Sequence, residues 1–125
     1  MNDDQPAGTI VWTDLTVENA DVIRDFYGEV VGWKHEPVDM GGYDDYNMEP
    51  PRGGAAMAGI CHARGANDNL PAQWLLYVNV EDIDSSIRRA VELGGHLVDG
   101  PRKMGKNRFC VIRDPAGAVI ALISE

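Results

Sequence analysis

Hydrophobic patterns divide the first half of the chain into a strand, a helix and three further strands. Residues 10–17 alternate apolar and polar side chains, with Leu15 and Val17 on one face, which is typical of a half-buried strand. In residues 17–33 apolar side chains recur every three or four positions, as on one face of a helix, and Gly32 is placed to end that helix. Turn residues separate the segments that follow. We expect strands near residues 33–38, 43–49 and 55–61.

The second half of the chain repeats the first, with the same order of patterns. A shift of 63 residues without a gap brings Val17 onto Val80 and aligns ten identical residues. Several of these are glycines in predicted turns, where backbone geometry restricts the choice of residue. Asp82 can cap a second helix that ends at Gly94 and Gly95. We expect the remaining strands near residues 74–80, 96–98, 108–112 and 119–123.

Together these patterns predict an α+β fold made of two tandem βαβββ modules. The first module spans residues 10–62 and the second spans residues 74–124, and a polar linker occupies residues 63–73. A chain of 125 residues is typical of one domain, so residues 1–125 are interpreted as a single domain.

Composition limits the partners and the location that we expect. The net charge of −9 argues against nucleic acid as a partner, because its phosphates would be repelled. No apolar run approaches the ~20 residues of a membrane span, and the polar start MNDDQPAG lacks the apolar core of a signal peptide. Cys61 and Cys110 stand singly in apolar segments, which is typical of reduced thiols. These features predict a cytoplasmic protein with no membrane partner.

Two motifs carry a resemblance to a known family. FYGEVVGW closes the first predicted helix and DPAGAVIAL forms the last predicted hairpin, within a doubled βαβββ pattern. In this arrangement the chain resembles the glyoxalase/bleomycin resistance protein/dioxygenase superfamily, also called the vicinal oxygen chelate superfamily, over residues 10–124. The resemblance implies a curled mixed sheet, or half-barrel, with a cavity that binds a small molecule. It also implies a homodimer.

The resemblance implies where a metal would be bound. Metal-dependent members of the superfamily place one ligand on the first strand and one on the last strand of each module. Those positions correspond to Trp12 and Leu75, to Ala121 in the last hairpin and, through the internal repeat, to Ala58. None of these side chains can ligate a divalent metal. We therefore expect no metal and no other cofactor.

The same correspondence predicts a ligand pocket. Asp14 would point into the cavity, where it could act as a base or bind a cationic amine. The wide side chains near it either fill the barrel or form a surface on which a planar ligand stacks. The predicted pocket comprises Trp12, Asp14, Tyr46, Ala58, Leu75, Tyr77, Asn79, Phe109 and Ala121.

Three functions remain open from the sequence. The leading hypothesis is a metal-independent protein that binds a small hydrophobic or cationic molecule. The first alternative is an enzyme, lyase, isomerase or dioxygenase-like, with Asp14 or His62 as acid or base, or with an atypical metal site that pairs Cys61 and His62. The second is an interaction module whose cavity is filled by its own side chains.

Overall fold

A computed structural model describes residues 5–125, which form two compact units. The N-terminal unit is Thr13–Trp74, and the C-terminal unit is Leu75–Glu125 with the described residues before Thr13. The N-terminal unit holds most of strand β1, then helix α1, strands β2, β3 and β4, and a short 3-10 helix at Gly65–Asn67. The bounds are β1 Ile10–Val17, α1 Ala20–Val31, β2 Lys34–Asp39, β3 Asp44–Glu49 and β4 Ala58–His62.

The strands of the N-terminal unit lie in the order β2-β3-β4-β1, and β1 runs parallel to β4. In the C-terminal unit the order is β5-β8-β7-β6, and β5 runs parallel to β8. Its elements are β5 Trp74–Asn79, α2 Ile83–Glu92, β6 His96–Met104, β7 Asn107–Arg113 and β8 Val119–Ser124. The predicted α+β class with two βαβββ modules is confirmed. Within the described residues, neither α1 nor α2 is long and apolar enough to span a membrane.

Helix α1 covers one face of the strands of its unit. Ala20 is buried in a cluster with four strand residues, and three aromatic rings pack against that cluster. The strand residues are Tyr46, Met48, Ala58 and Ile60, and the rings are Tyr27, Trp33 and Trp74. The helix periodicity predicts one buried stripe through Ala20, Ile23, Phe26 or Tyr27, and Val30. Ala20, Ile23 and Tyr27 lie in or against the cluster, and Tyr27 stacks on Trp33. The prediction is wrong for Phe26 and Val30, which are 53% and 61% exposed.

Helix α2 covers the corresponding face of the C-terminal unit. Ile83 is buried against Cys110 of β7 and Leu122 of β8, and partly buried aliphatic side chains complete the cluster. Tyr77 of β5 pairs with Ala121 of β8. Since side chains alternate along a strand, Ala121 points away from the face on which Leu122 meets α2. Leu122 and Ala121 thus mark the two faces of this unit.

The two helices begin differently, which allows a matched test of capping. The Asp82 side chain accepts hydrogen bonds from the N–H groups of Asp84 at 3.1 Å and Ser85 at 3.2 Å, whereas Asn19 makes no such bond. We expect Asp82→Ala to lower the free energy of unfolding by about 1 kcal/mol and Asn19→Ala to change it little. Urea denaturation of both variants measures this. Equal losses would contradict the assignment of Asp82 as the cap.

Candidate functional site

Two acidic side chains and a thiol share one face of the N-terminal unit. Asp14 of β1 pairs with Gly59 of β4, so Cys61, two residues further on, lies on the same face as Asp14. Asp45 precedes Tyr46 on β3. Because Tyr46 packs under α1, Asp45 points to the opposite face, which is the face of Cys61. We call Asp14, Asp45 and Cys61 the carboxylate–thiol cluster.

The carboxylate–thiol cluster has a negative potential. Burial raises the pKa of the Cys61 thiol, and the charges of Asp14 and Asp45 and a hydrogen bond with Asp45 raise it further. Asp45 itself is only 6% exposed. A thiol with a raised pKa stays protonated near neutral pH and is a poor nucleophile. The cluster therefore suits a positive group and disfavours thiolate chemistry.

His62 ends β4 and lies between two carboxylates. The Asp45 Oδ1 atom accepts the main-chain N–H of His62 at 2.8 Å and lies 3.3 Å from its ring Nδ1. The ring Nε2 is 3.6 Å from Oδ1 of Asp21, in the first turn of α1. A carboxylate beside a ring nitrogen orients the imidazole, as in acid–base sites.

Tyr46, which packs under α1, contacts the same Asp21 carboxylate that lies near the His62 ring. Its hydroxyl donates a hydrogen bond to Asp21 Oδ1. That bond, burial and the charge of Asp21 raise the pKa of Tyr46. The Arg24 guanidinium lies 4.6 Å from the centre of the Tyr46 ring. Sequence reasoning missed Asp21 and Asp45 as site residues, because acidic residues in a helix first turn and on a strand each have a simpler structural explanation.

The two predicted catalytic candidates are not brought together. Asp14 belongs to the carboxylate–thiol cluster, whereas the His62 ring meets Asp21, a residue of the helix that covers the other face. Asp45 links the carboxylate–thiol cluster to His62. Its side chain accepts a hydrogen bond from the main-chain N–H of His62, and its charge raises the pKa of Cys61.

Four predicted pocket residues lie on one face of the C-terminal unit. Tyr77 and Phe109 are buried with ring centres 6.1 Å apart, and Ala121 pairs with Tyr77. Leu75, two residues before Tyr77, is also buried on that face. The side-chain amide of Asn79 donates to the main-chain oxygen of Gln5 at 2.9 Å. Trp12 is half-buried.

The remaining two predicted pocket residues require a correction. Tyr46 and Ala58 pack under α1, on the face opposite Asp14, whereas their repeat partners Phe109 and Ala121 point away from α2. A shift of one residue in strand register reverses the face, and the ungapped repeat does not record such a shift. Pairing of Asp14 with Gly59, and of Tyr77 with Ala121, makes Gly59 rather than Ala58 the counterpart of Ala121.

The family's metal does not fit the residues at its expected positions. Trp12, Leu75, Ala121 and Gly59 offer no imidazole, carboxylate or thiolate. Across residues 5–125, no group of three or more histidine, cysteine, aspartate or glutamate side chains is arranged to hold a metal ion.

Comparison with known proteins identifies the family. The profile of the family described as Glyoxalase-like domain matches residues 11–123 of the chain. The chain belongs to this family. The expectation of a glyoxalase/bleomycin-resistance fold is thereby confirmed.

Curated relatives of this glyoxalase-like chain are longer than it is. CFP32 of Mycobacterium tuberculosis, which carries a provisional glyoxylase name, is 28% identical over 117 residues, which are 93% of this chain and 44% of CFP32. The anthracycline biosynthesis protein DnrV of Streptomyces peucetius is 27% identical over 119 residues, 93% of this chain and 41% of DnrV. The chain thus spans less than half the length of these relatives.

Solved structures share the fold of this glyoxalase-like chain. Methylmalonyl-CoA epimerase of Mycobacterium tuberculosis has a TM-score of 0.56 and 22% identity, and the match covers 99% of this chain and 92% of the epimerase. A Streptomyces coelicolor methylmalonyl-CoA epimerase variant has a TM-score of 0.57 and 15% identity, with 96% and 99% covered. At these identities the likeness is one of fold.

Proposed function

We propose that this glyoxalase-like chain binds a small organic cation with an apolar body, without a metal ion, at the carboxylate–thiol cluster. The observation that carries the proposal is that two carboxylates, Asp14 and the buried Asp45, share one face of the strands with Cys61. Burial and these charges raise the pKa of the Cys61 thiol, in agreement with that arrangement. A site that is both desolvated and negative disfavours anions and stabilises an ammonium group.

The residues at the family's metal positions support the metal-free part of the proposal. An indole, two aliphatic side chains and a glycine leave no donor set for a divalent ion. The names of DnrV and of DauV from Streptomyces sp. refer to anthracycline biosynthesis, which suggests a probe of suitable chemistry. Daunorubicin is an anthracycline with a planar ring system and one amino group, and its aglycone lacks that amine.

Daunorubicin binding to the wild type and to Asp14→Asn tests the proposal. We expect the wild type to bind daunorubicin about tenfold more tightly than the aglycone, because the ammonium gains a charged hydrogen bond worth roughly 1.5 kcal/mol. In Asp14→Asn this difference should disappear, while aglycone binding stays the same. Fluorescence titration measures the affinities.

Native mass spectrometry of the same samples tests the remaining parts of the proposal. The expected mass is that of the protein with bound daunorubicin and no metal. Stoichiometric zinc, iron, nickel or manganese would contradict the metal-free part. Equal daunorubicin affinity in the wild type and in Asp14→Asn would remove Asp14 from the site.

A homodimer belongs to this proposal. Its basis is the resemblance to the glyoxalase/bleomycin resistance protein/dioxygenase superfamily, which implies a homodimer. The dimer mass is the expected species in the native spectrum. A monomer alone would contradict this part of the proposal.

The geometry of His62 favours acid–base catalysis as the second candidate function. The ring is oriented by Asp45 at 3.3 Å and lies 3.6 Å from Asp21, so a proton could move at Nε2. Chemical conversion of an added compound that His62→Gln abolishes would favour the enzyme over the binding protein.

A further inference from the structure

A concave site lies on the helix side of the N-terminal unit. It is a groove of about 330 Å³ between α1, β1 and the segment that precedes β5. Its walls are mainly apolar and aromatic, formed by Leu15, Val17, Ile23, Phe26, Tyr27, Ala72 and Trp74, and Gln73 is the one amide among the lining residues. We call this the Tyr27–Trp74 groove. Asp14 does not line it, and side-chain alternation on β1 places Asp14 on the opposite face from Leu15.

The Tyr27–Trp74 groove is uncharged in a strongly acidic chain. None of the described residues that line it carries a charge, although the chain has a net charge of −9. The only indole N–H in the groove, that of Trp74, is donated to the Tyr27 hydroxyl at 3.1 Å. The Tyr27 hydroxyl is the acceptor of that bond, so its own hydrogen can be donated to a ligand. The groove therefore offers ring faces and the hydroxyl hydrogen of Tyr27.

We propose that the Tyr27–Trp74 groove is a second small-molecule site, for an uncharged planar aromatic compound that carries a carbonyl or similar acceptor. The acceptor takes the hydrogen of the Tyr27 hydroxyl, and the rings of Phe26 and Trp74 contact the planar body. The volume lies at the lower end of the range of small-molecule pockets, roughly 300–1,000 Å³. A cationic compound gains no ion pair here, because no carboxylate is among the described residues that line the groove.

Binding of Prodan tests this proposal, because Prodan is an uncharged planar naphthalene with a carbonyl acceptor and environment-sensitive emission. We expect saturable binding to the wild-type chain with a blue shift. Ala72→Phe fills the groove from an exposed position and should weaken binding at least tenfold. Tyr27→Phe should weaken it several-fold, and Phe26→Ala should do the same. Circular dichroism checks that each variant is folded.

Two controls separate the groove from other sites. Val30→Phe adds the same ring to an exposed position on α1 outside the groove and should leave Prodan binding unchanged. Asp14→Asn should also leave it unchanged, so that failure of this proposal is distinct from failure of the proposed cation site.

Three results would overturn the proposal. The first is the absence of saturable Prodan binding to the wild type. The second is binding that Asp14→Asn abolishes and Ala72→Phe does not affect. The third combines two findings: the wild type does not bind Prodan, and Phe26→Ala converts a dimer to a monomer. Together they would mean that a second copy of the chain covers the groove.

Discussion

Gly100→Ala is expected to lower the free energy of unfolding by about 3 kcal/mol or more. Gly100 has a φ of +89°, a region that alanine rarely adopts. A Cβ atom there would lie 2.8 Å from the main-chain oxygen of Phe109 and 3.2 Å from both the main-chain nitrogen of Arg102 and the Cα atom of Cys110. All three are main-chain atoms of the β6–β7 pair, so the clash cannot be relieved by a side-chain rotation.

Gly105→Ala is the matched control for Gly100→Ala. Gly105 also has a positive φ, of +62°, but a Cβ atom there would meet nothing within 4 Å. Its substitution should cost only the backbone strain, about 1 kcal/mol. Urea denaturation of both variants measures the difference. Equal losses of unfolding free energy would mean that the contacts of a Cβ atom with the main chain at Gly100 do not contribute to the destabilisation.

The segment around Gly100 also explains why the sequence predicts only the first part of β6. The segment Asp99-Gly100-Pro101 has the composition of a turn, so the sequence predicts a strand only near residues 96–98. The strand continues to Met104, with register shifts between Leu97 and Arg102. Pairing with β7 outweighs the local turn preference, because at each register shift β6 contains more residues than the facing part of β7 and pairing resumes beyond it.

Features governed by local chemistry were predictable. Gly32 ends α1 with a φ of +76°, and Asp82 caps α2 with its side chain. The alternation on β1 also places Leu15 and Val17 toward the core as expected. Each depends on residues that are close in sequence, so a single pattern contains the information.

The candidate site depends on contacts between residues that are distant in sequence. Asp45 reaches His62 across 17 positions, and Tyr46 reaches Asp21 across 25. No local pattern distinguishes these aspartates from solvated ones. The faces of Tyr46 and Ala58 depend on a one-residue register difference between the two units, which sequence identity alone does not reveal.

Asp45→Asn is expected to increase the reaction rate of Cys61 with a disulfide reagent several-fold at pH 8 to 9. Burial, the largest cause of the raised thiol pKa, remains in this variant, but the charge of Asp45 is removed. The pKa of Cys61 therefore falls toward its ordinary value, and a larger fraction is thiolate at a given pH. The pH–rate profile of Cys61 should shift to lower pH. Mass spectrometry of labelled peptides assigns the rate to each cysteine.

Cys110 and Asp14 provide the controls for this measurement. Burial raises the pKa of Cys110 to about 11, and neither Asp14 nor Asp45 contributes to that shift, so its rate should be the same in every variant. Asp14→Asn should shift the Cys61 profile in the same direction as Asp45→Asn, because both charges raise the same pKa. A faster Cys110 would indicate general loosening of the fold instead. Unchanged Cys61 profiles in both variants would contradict a negative potential at the carboxylate–thiol cluster, and with it the reason to expect a cationic ligand there.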